Sequence, residues 1–206
     1  MDEAFVDERG SNSIQWFAPE DKPYGLSYGE WTTKWWDWAL SVPIPVNPVL
    51  DNTGQYADKN QQNPVWFLAG TIGDENKVAH RTCIIPKQNA ILFPVINYIH
   101  TSDPKFNTNI ELVEHVKKDI DDIIINEAIV DDHQVPVYRV RSEPRIFKLS
   151  VREENKLDIP VGITTASADG YWVFLKNLNV GKHNISFRGA CSGGLRNASA
   201  QYQIII

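Results

Sequence analysis

The chain is short of several things, and each shortage removes a class of function. It has two cysteines, Cys83 and Cys191, in 206 residues. A disulfide framework like those of small secreted domains is excluded, and at most one internal bridge can form, closing a loop of about 100 residues. Lys and Arg number 20 against 26 Asp and Glu, for a net charge of −6. Without a basic cluster to neutralise phosphates, no nucleic-acid partner is expected. The longest apolar run, Ala90 to Ile96, falls far below the roughly 20 residues that span a bilayer and contains Pro94, so no transmembrane segment is expected. The opening M-D-E-A-F-V-D-E-R-G lacks the basic-then-apolar order of a secretory signal. The expectation is a cytoplasmic chain, with a secreted mature form as the alternative.

Metal and catalytic spacings are also scarce. The five histidines, His80, His100, His115, His133 and His183, include neither H-x-H nor H-E-x-x-H, the spacings that let one strand or helix turn aim two imidazoles at one ion. No cofactor is expected on that ground, although His80 and His100, on neighbouring predicted strands, could converge. Asp119, Asp121, Asp122, Asp131 and Asp132 lack the D-x-D-x-D-G loop that wraps calcium and read as a solvated helix end. Gly189-Ala-Cys191-Ser-Gly193 has the form of a nucleophile elbow, but the short polar stretch after it cannot supply the elbow's helix, so it reads as a hairpin loop.

What the chain has in excess is tryptophan, seven in all, four of them between Ser27 and Val42. Ser27 followed by Glu30 is a capping-box pair, and Pro43 stops a helix. At 100° per residue Trp31, Trp35, Trp38 and Val42 share one stripe, widened by Trp36, Ala39 and Leu40. Glu30, Thr33, Lys34, Asp37 and Ser41 fill the opposite arc. This predicts a helix sunk between β-layers. A second helix is predicted over 108–125, started by Thr108 and Glu111, with Leu112, Val113, Val116, Ile120, Ile123 and Ile124 on one face.

Strand signals fill most of the rest: 65–71, 78–85 and 90–97, read as a meander, then 135–140, 146–151, 171–176, 183–187 and 200–206. The predicted fold is mainly β, an antiparallel sandwich of jelly-roll or immunoglobulin-like type with two helices. Residues 1–23 form a leader, mobile or surface-docked through Trp16 and Phe17, and 24–206 a single domain. The polar segment from Asp51 to Asn63 is long enough to be functional or disordered.

Five blocks, E-W-T-T-K-W-W-D-W, N-P-V-W-F-L-A-G, H-R-T-C, F-P-V-I-N and G-Y-W-V-F-L-K-N-L-N-V-G-K-H-N-I-S-F, resemble in order a family of uncharacterised bacterial and archaeal proteins. The resemblance runs from about Gly25 to the end. That family carries no assigned activity, so it implies no catalytic residues. Its members often have a cysteine in the segment matching 51–62, and this chain has none there.

The expected function is a non-catalytic binding or assembly module for a glycan or protein surface. Tyr24, Trp31, Trp36, Asp51, Gln55 and Gln61 are the candidate contacts, because indole and phenol rings suit half-wet stacking surfaces. The unblunted C-terminal Q-I-I-I suggests a homo-oligomer through strand addition. The rival reading is a glycosidase-like hydrolase with two of Glu30, Asp37 and Asp51 flanking a sugar.

Overall fold

The structure, a computed structural model, describes residues 13–71, 78–102, 108–153, 159–192 and 197–206. Gly193 and most of the predicted leader lie outside them.

Helix α1 (Tyr28–Ser41) forms where the capping pair places it. Glu30 N–H donates to Ser27 Oγ at 3.1 Å and Ser27 N–H donates to Glu30 Oε2 at 2.7 Å, so two otherwise orphaned donors satisfy each other's residue. At the other end Asn47 Nδ2 donates to the carbonyls of Ala39 and Val42, covering acceptors that the helix leaves open. The predicted arcs hold: Trp31, Trp35, Trp36 and Trp38 are buried and Asp37 faces water.

The strands are β1 (Val65–Phe67), β2 (Ala79–Ile84), β3 (Ala90–Thr101), β4 (Ile123–Val130), β5 (His133–Gln134), β6 (Tyr138–Arg139), β7 (Phe147–Val151), β8 (Gly162–Leu175), β9 (Lys182–Cys191) and β10 (Asn197–Ile205). They make two sheets. The first runs β1-β3-β8-β6, with β7 also on β8, and the second runs β2-β10-β9-β4-β5. The fold is mainly β with two helices, as predicted, but the sheets are mixed rather than antiparallel. β1 lies parallel to β3 and β2 parallel to β10. The expected meander of β1, β2 and β3 is therefore corrected, since β2 joins the other sheet.

Alternation along β3 and β8 divides the interior into two layers. Leu92, Trp172 and Phe174 pack with the rings of α1, while Ile91, Phe93, Val95, Val173 and Leu175 pack with β4, β9 and β10. The helix thus covers the outer face of the first sheet, and only the second layer lies between sheets. That corrects the helix sunk between β-layers. Two-sided burial is why β3 reads as an unbroken apolar run, and Pro94 is tolerated where the register with β8 shifts at a bulge. The second sheet comes close at Gly189, where an added Cβ would lie 2.7 Å from Ile96 Cγ2.

Helix α2 (Asn109–Asp121) begins at Thr108, whose Oγ1 accepts from Glu111 N–H at 3.2 Å, and buries Leu112, Val116 and Ile120. It ends earlier than predicted. Ile123 and Ile124 fit the helical stripe but belong to β4, paired along β9. No helix of the described residues is long and apolar enough to cross a membrane.

From Gln15 onward the predicted leader is docked: Lys176 N–H donates to Gln15 O at 2.9 Å, Phe17 N–H to Phe174 O at 2.8 Å, and Trp16 bridges Leu175. Of the C-terminal Q-I-I-I, residues 203–205 run in β10 between β2 and β9 and Ile206 N–H donates to Gly181 O, so the segment presents no free edge for strand addition.

Candidate functional site

The tryptophans are construction rather than platform. Trp31 and Trp36 are 4% and 5% exposed, so neither offers a face to a sugar, which corrects two of the six candidate contacts. Three of the indoles aim their N–H inward at loop carbonyls: Trp31 at Pro23 O (2.9 Å), Trp35 at Leu68 O (2.9 Å) and Trp38 at Lys59 O (2.8 Å). Tyr24 is 50% exposed, its ring edge-on to Trp31 at 6.2 Å.

The segment from 51 to 63 is ordered, and its polar residues are used in ordering it. Asp51 accepts from Thr53 N–H, Thr53 Oγ1 and Tyr56 N–H. Those bonds, with the Arg81 cation, hold its carboxyl below the ordinary range although partial burial pushes the other way. Gln61 turns its amide onto β1, accepting from Phe67 N–H and donating to Phe67 O, so it occupies the strand's outer edge as a neighbouring strand would. Gln55 is exposed. Gly54, at φ +89°, packs against the Thr82 backbone where no side chain fits.

Beneath the segment lies Arg81, 3% exposed. It donates to Asp51 O, Val49 O, Gly70 O, Ala69 O and Tyr202 Oη, which uses all five guanidinium donors on a buried site.

The carboxylates of the hydrolase reading are dispersed in role. Glu30 closes the capping box, Asp51 holds its turn, and Asp37 stands on the water-facing arc of α1. Cys83 and Cys191 are free and buried, which corrects the possible bridge. β10 separates their strands, and Cys83 pairs with Ile204, which pairs with His183, eight residues down β9 from Cys191. At about 3.4 Å per residue that is some 27 Å along the strand, far beyond bridging reach. Burial pushes the Cys83 thiol up to about 12, so it is no nucleophile at neutral pH. Cys191 ends β9, as the hairpin reading requires, and no elbow helix follows among the described residues.

The second sheet's outer face was missed by the sequence reading. Its register sets His80, Gln201, Ser186 and Ile129 in one row across four strands. Thr82, Gln203 and Asn184 form the row on one side, and Ser199, Arg188 and Glu127 the row on the other. A depression of about 380 Å³ lies over β4, β9 and β10, lined by Glu127, Ile129, Ser186, Arg188, Ser199 and Gln201 among others. Hydroxyls and amides both donate and accept, so the face can hydrogen-bond to a neutral polyhydroxylated ligand, with one acid and one base at its margin. Alternation of Gln201 and Gln203 with Tyr202 and Ile204 was the available signal.

The histidines fall apart differently from the expectation. His80 lies on this outer face, whereas His100 lies on β3 of the other sheet, so the two do not converge. His183 is fixed between Asp131 Oδ2 (2.6 Å) and Asn179 O (2.9 Å), and His133 Nδ1 meets Asp131 O at 2.7 Å. His100 meets Asp119 and His115 on α2.

Compared with family models, with curated proteins and with solved structures, the chain matches none.

Proposed function

We propose that the chain is a non-catalytic binding module whose contact surface is the outer face of the second sheet and whose ligand is a neutral glycan. The observation that carries this reading is the depression over β4, β9 and β10, into which the register brings Ser186, Ser199, Gln201, Arg188 and Glu127. A solvated sheet face carries charged and uncharged polar side chains alike. Here the central rows are amide, hydroxyl and imidazole, short enough to meet sugar hydroxyls directly, and Ile129 supplies an apolar patch. The jelly-roll form of the sandwich belongs to the same proposal, since its sheets present open faces of this kind.

The test is a glycan array probed with the full chain, followed by Gln201→Ala and Arg188→Ala. Retention of a neutral sugar that falls at least about tenfold in either variant supports the reading. No retained sugar removes it and leaves a structural role.

A further inference from the structure

We propose that His100, His115 and Asp119 form a binding site for one divalent transition-metal ion of the zinc class. One ligand atom from each of the three lies within 4.8 Å of the others. They come from two elements. His115 and Asp119 are i and i+4 on α2, which puts their side chains side by side on one helix face. His100 comes across from β3. Ile99 packs against the tryptophan layer, so its neighbour in the strand points to the opposite face, toward α2.

The fit is close to what coordination needs. His100 Nε2 and Asp119 Oδ2 are 2.6 Å apart, and the two imidazoles stand edge to face with centroids 4.6 Å apart. Two ligands on a tetrahedral zinc, each about 2.0–2.1 Å from the ion, are separated by about 3.3 Å. Sub-ångström opening of the His100–Asp119 contact and a modest swing of His115 therefore reach a three-ligand set.

The donor types choose the ion. Two imidazole nitrogens and one carboxylate suit zinc, cobalt, nickel or ferrous iron, whereas calcium and magnesium take oxygen shells. His115 and Asp119 also line an open cleft of about 660 Å³ with Lys118, Asp121, Asp122 and Ser192. An ion held there is reached from solvent and has room for a further ligand. Because α2 buries only three aliphatic residues and is otherwise held by polar pairs at its rim, an ion that ties it to β3 would stabilise the folded chain.

The test is calorimetric titration of the full chain, stripped with chelator, with Zn²⁺, and with Co²⁺ followed by its visible absorption. The expected result is one ion per chain at micromolar affinity or tighter, a raised Tm, and a loss of at least about tenfold in affinity in both His115→Gln and Asp119→Asn. His133→Ala, a histidine outside the cluster, should bind as the native chain does. His115 is exposed, so its variant is expected to fold, and circular dichroism verifies this. Absence of saturable binding, binding that survives both ligand substitutions, or binding lost equally in His133→Ala would overturn the proposal.

Discussion

α1 buries nine of its fourteen residues, four of them tryptophan, whereas α2 buries three of thirteen, all aliphatic. Both begin with a hydroxyl N-cap that accepts from the backbone of a glutamate three residues on, so the difference lies in the buried face. An indole brings area and also an N–H that, once buried, usually finds an acceptor; Trp36 Nε1 is the exception on α1. Three indoles of α1 therefore bond to the backbone of three separate segments, at Pro23, Lys59 and Leu68. α2 is held at its rim by polar pairs instead: Asp119 to His100, Asp121 to Arg139 at 2.6 Å, and Lys117 O to Arg139 at 3.1 Å. Arg139 is itself anchored on Asp169, a carboxylate 1% exposed that also receives Arg141. One helix is built into the core and organises loops; the other keeps chemistry-bearing side chains at a solvent cleft.

The comparison breaks most visibly in stability. Trp38→Ala should cost about 4–5 kcal/mol, the removal of a large buried ring together with its bond to Lys59 O. Ile120→Ala in α2 should cost about 2–3 kcal/mol. Urea denaturation of the two variants checks the order. Between them falls Arg81→Met, expected at on the order of 3–4 kcal/mol, because it strands the backbone carbonyls of Val49, Asp51 and Gly70 that the guanidinium now satisfies, while Ala69 O keeps Tyr202 Oη as a donor. Limited proteolysis of that variant should begin near residues 51–57.

A smaller effect sharpens the account of α2. Hydrogen bonds from Lys117 and Arg139 hold the Asp121 carboxyl at about 2, below its ordinary value. A folded-state pKa that is depressed stabilises above the unfolded value and loses that contribution as pH falls. The urea midpoint should decline between pH 4 and pH 2, and Asp121→Asn should flatten that decline. Smallest of all is Gln201→Ala, on an exposed sheet face, which should change stability by less than about 0.5 kcal/mol while weakening any glycan retention.

Much of α1 was legible because its signals are local: a cap at Ser27, a stop at Pro43 and a stripe of period 3.6 all fall within one stretch. β4 was not, because Ile120, Ile123 and Ile124 continue the helical stripe across Asp122, and only pairing with β9 makes residues 123–130 extended. The parallel partners of β1 and β2 were hidden for a like reason, since pairing between distant segments leaves no mark in either one. Of the His–His–Asp cluster, the i, i+4 pair His115 and Asp119 could be read directly. His100 could not, since β3 runs to Thr101 rather than ending at Asn97, and its partner depends on how α2 lies. The outer-face rows likewise required the register before their alternation could be assigned a side.

Iodide quenching of the native chain's tryptophan emission is the most direct measurement of whether α1 is scaffold rather than binding platform. Trp16, 37% exposed, is the one indole among the described residues with substantial access. The account predicts that iodide quenches only a minor fraction of the emission, abolished by Trp16→Phe. Quenching of most of the emission, persisting in Trp16→Phe, would contradict it.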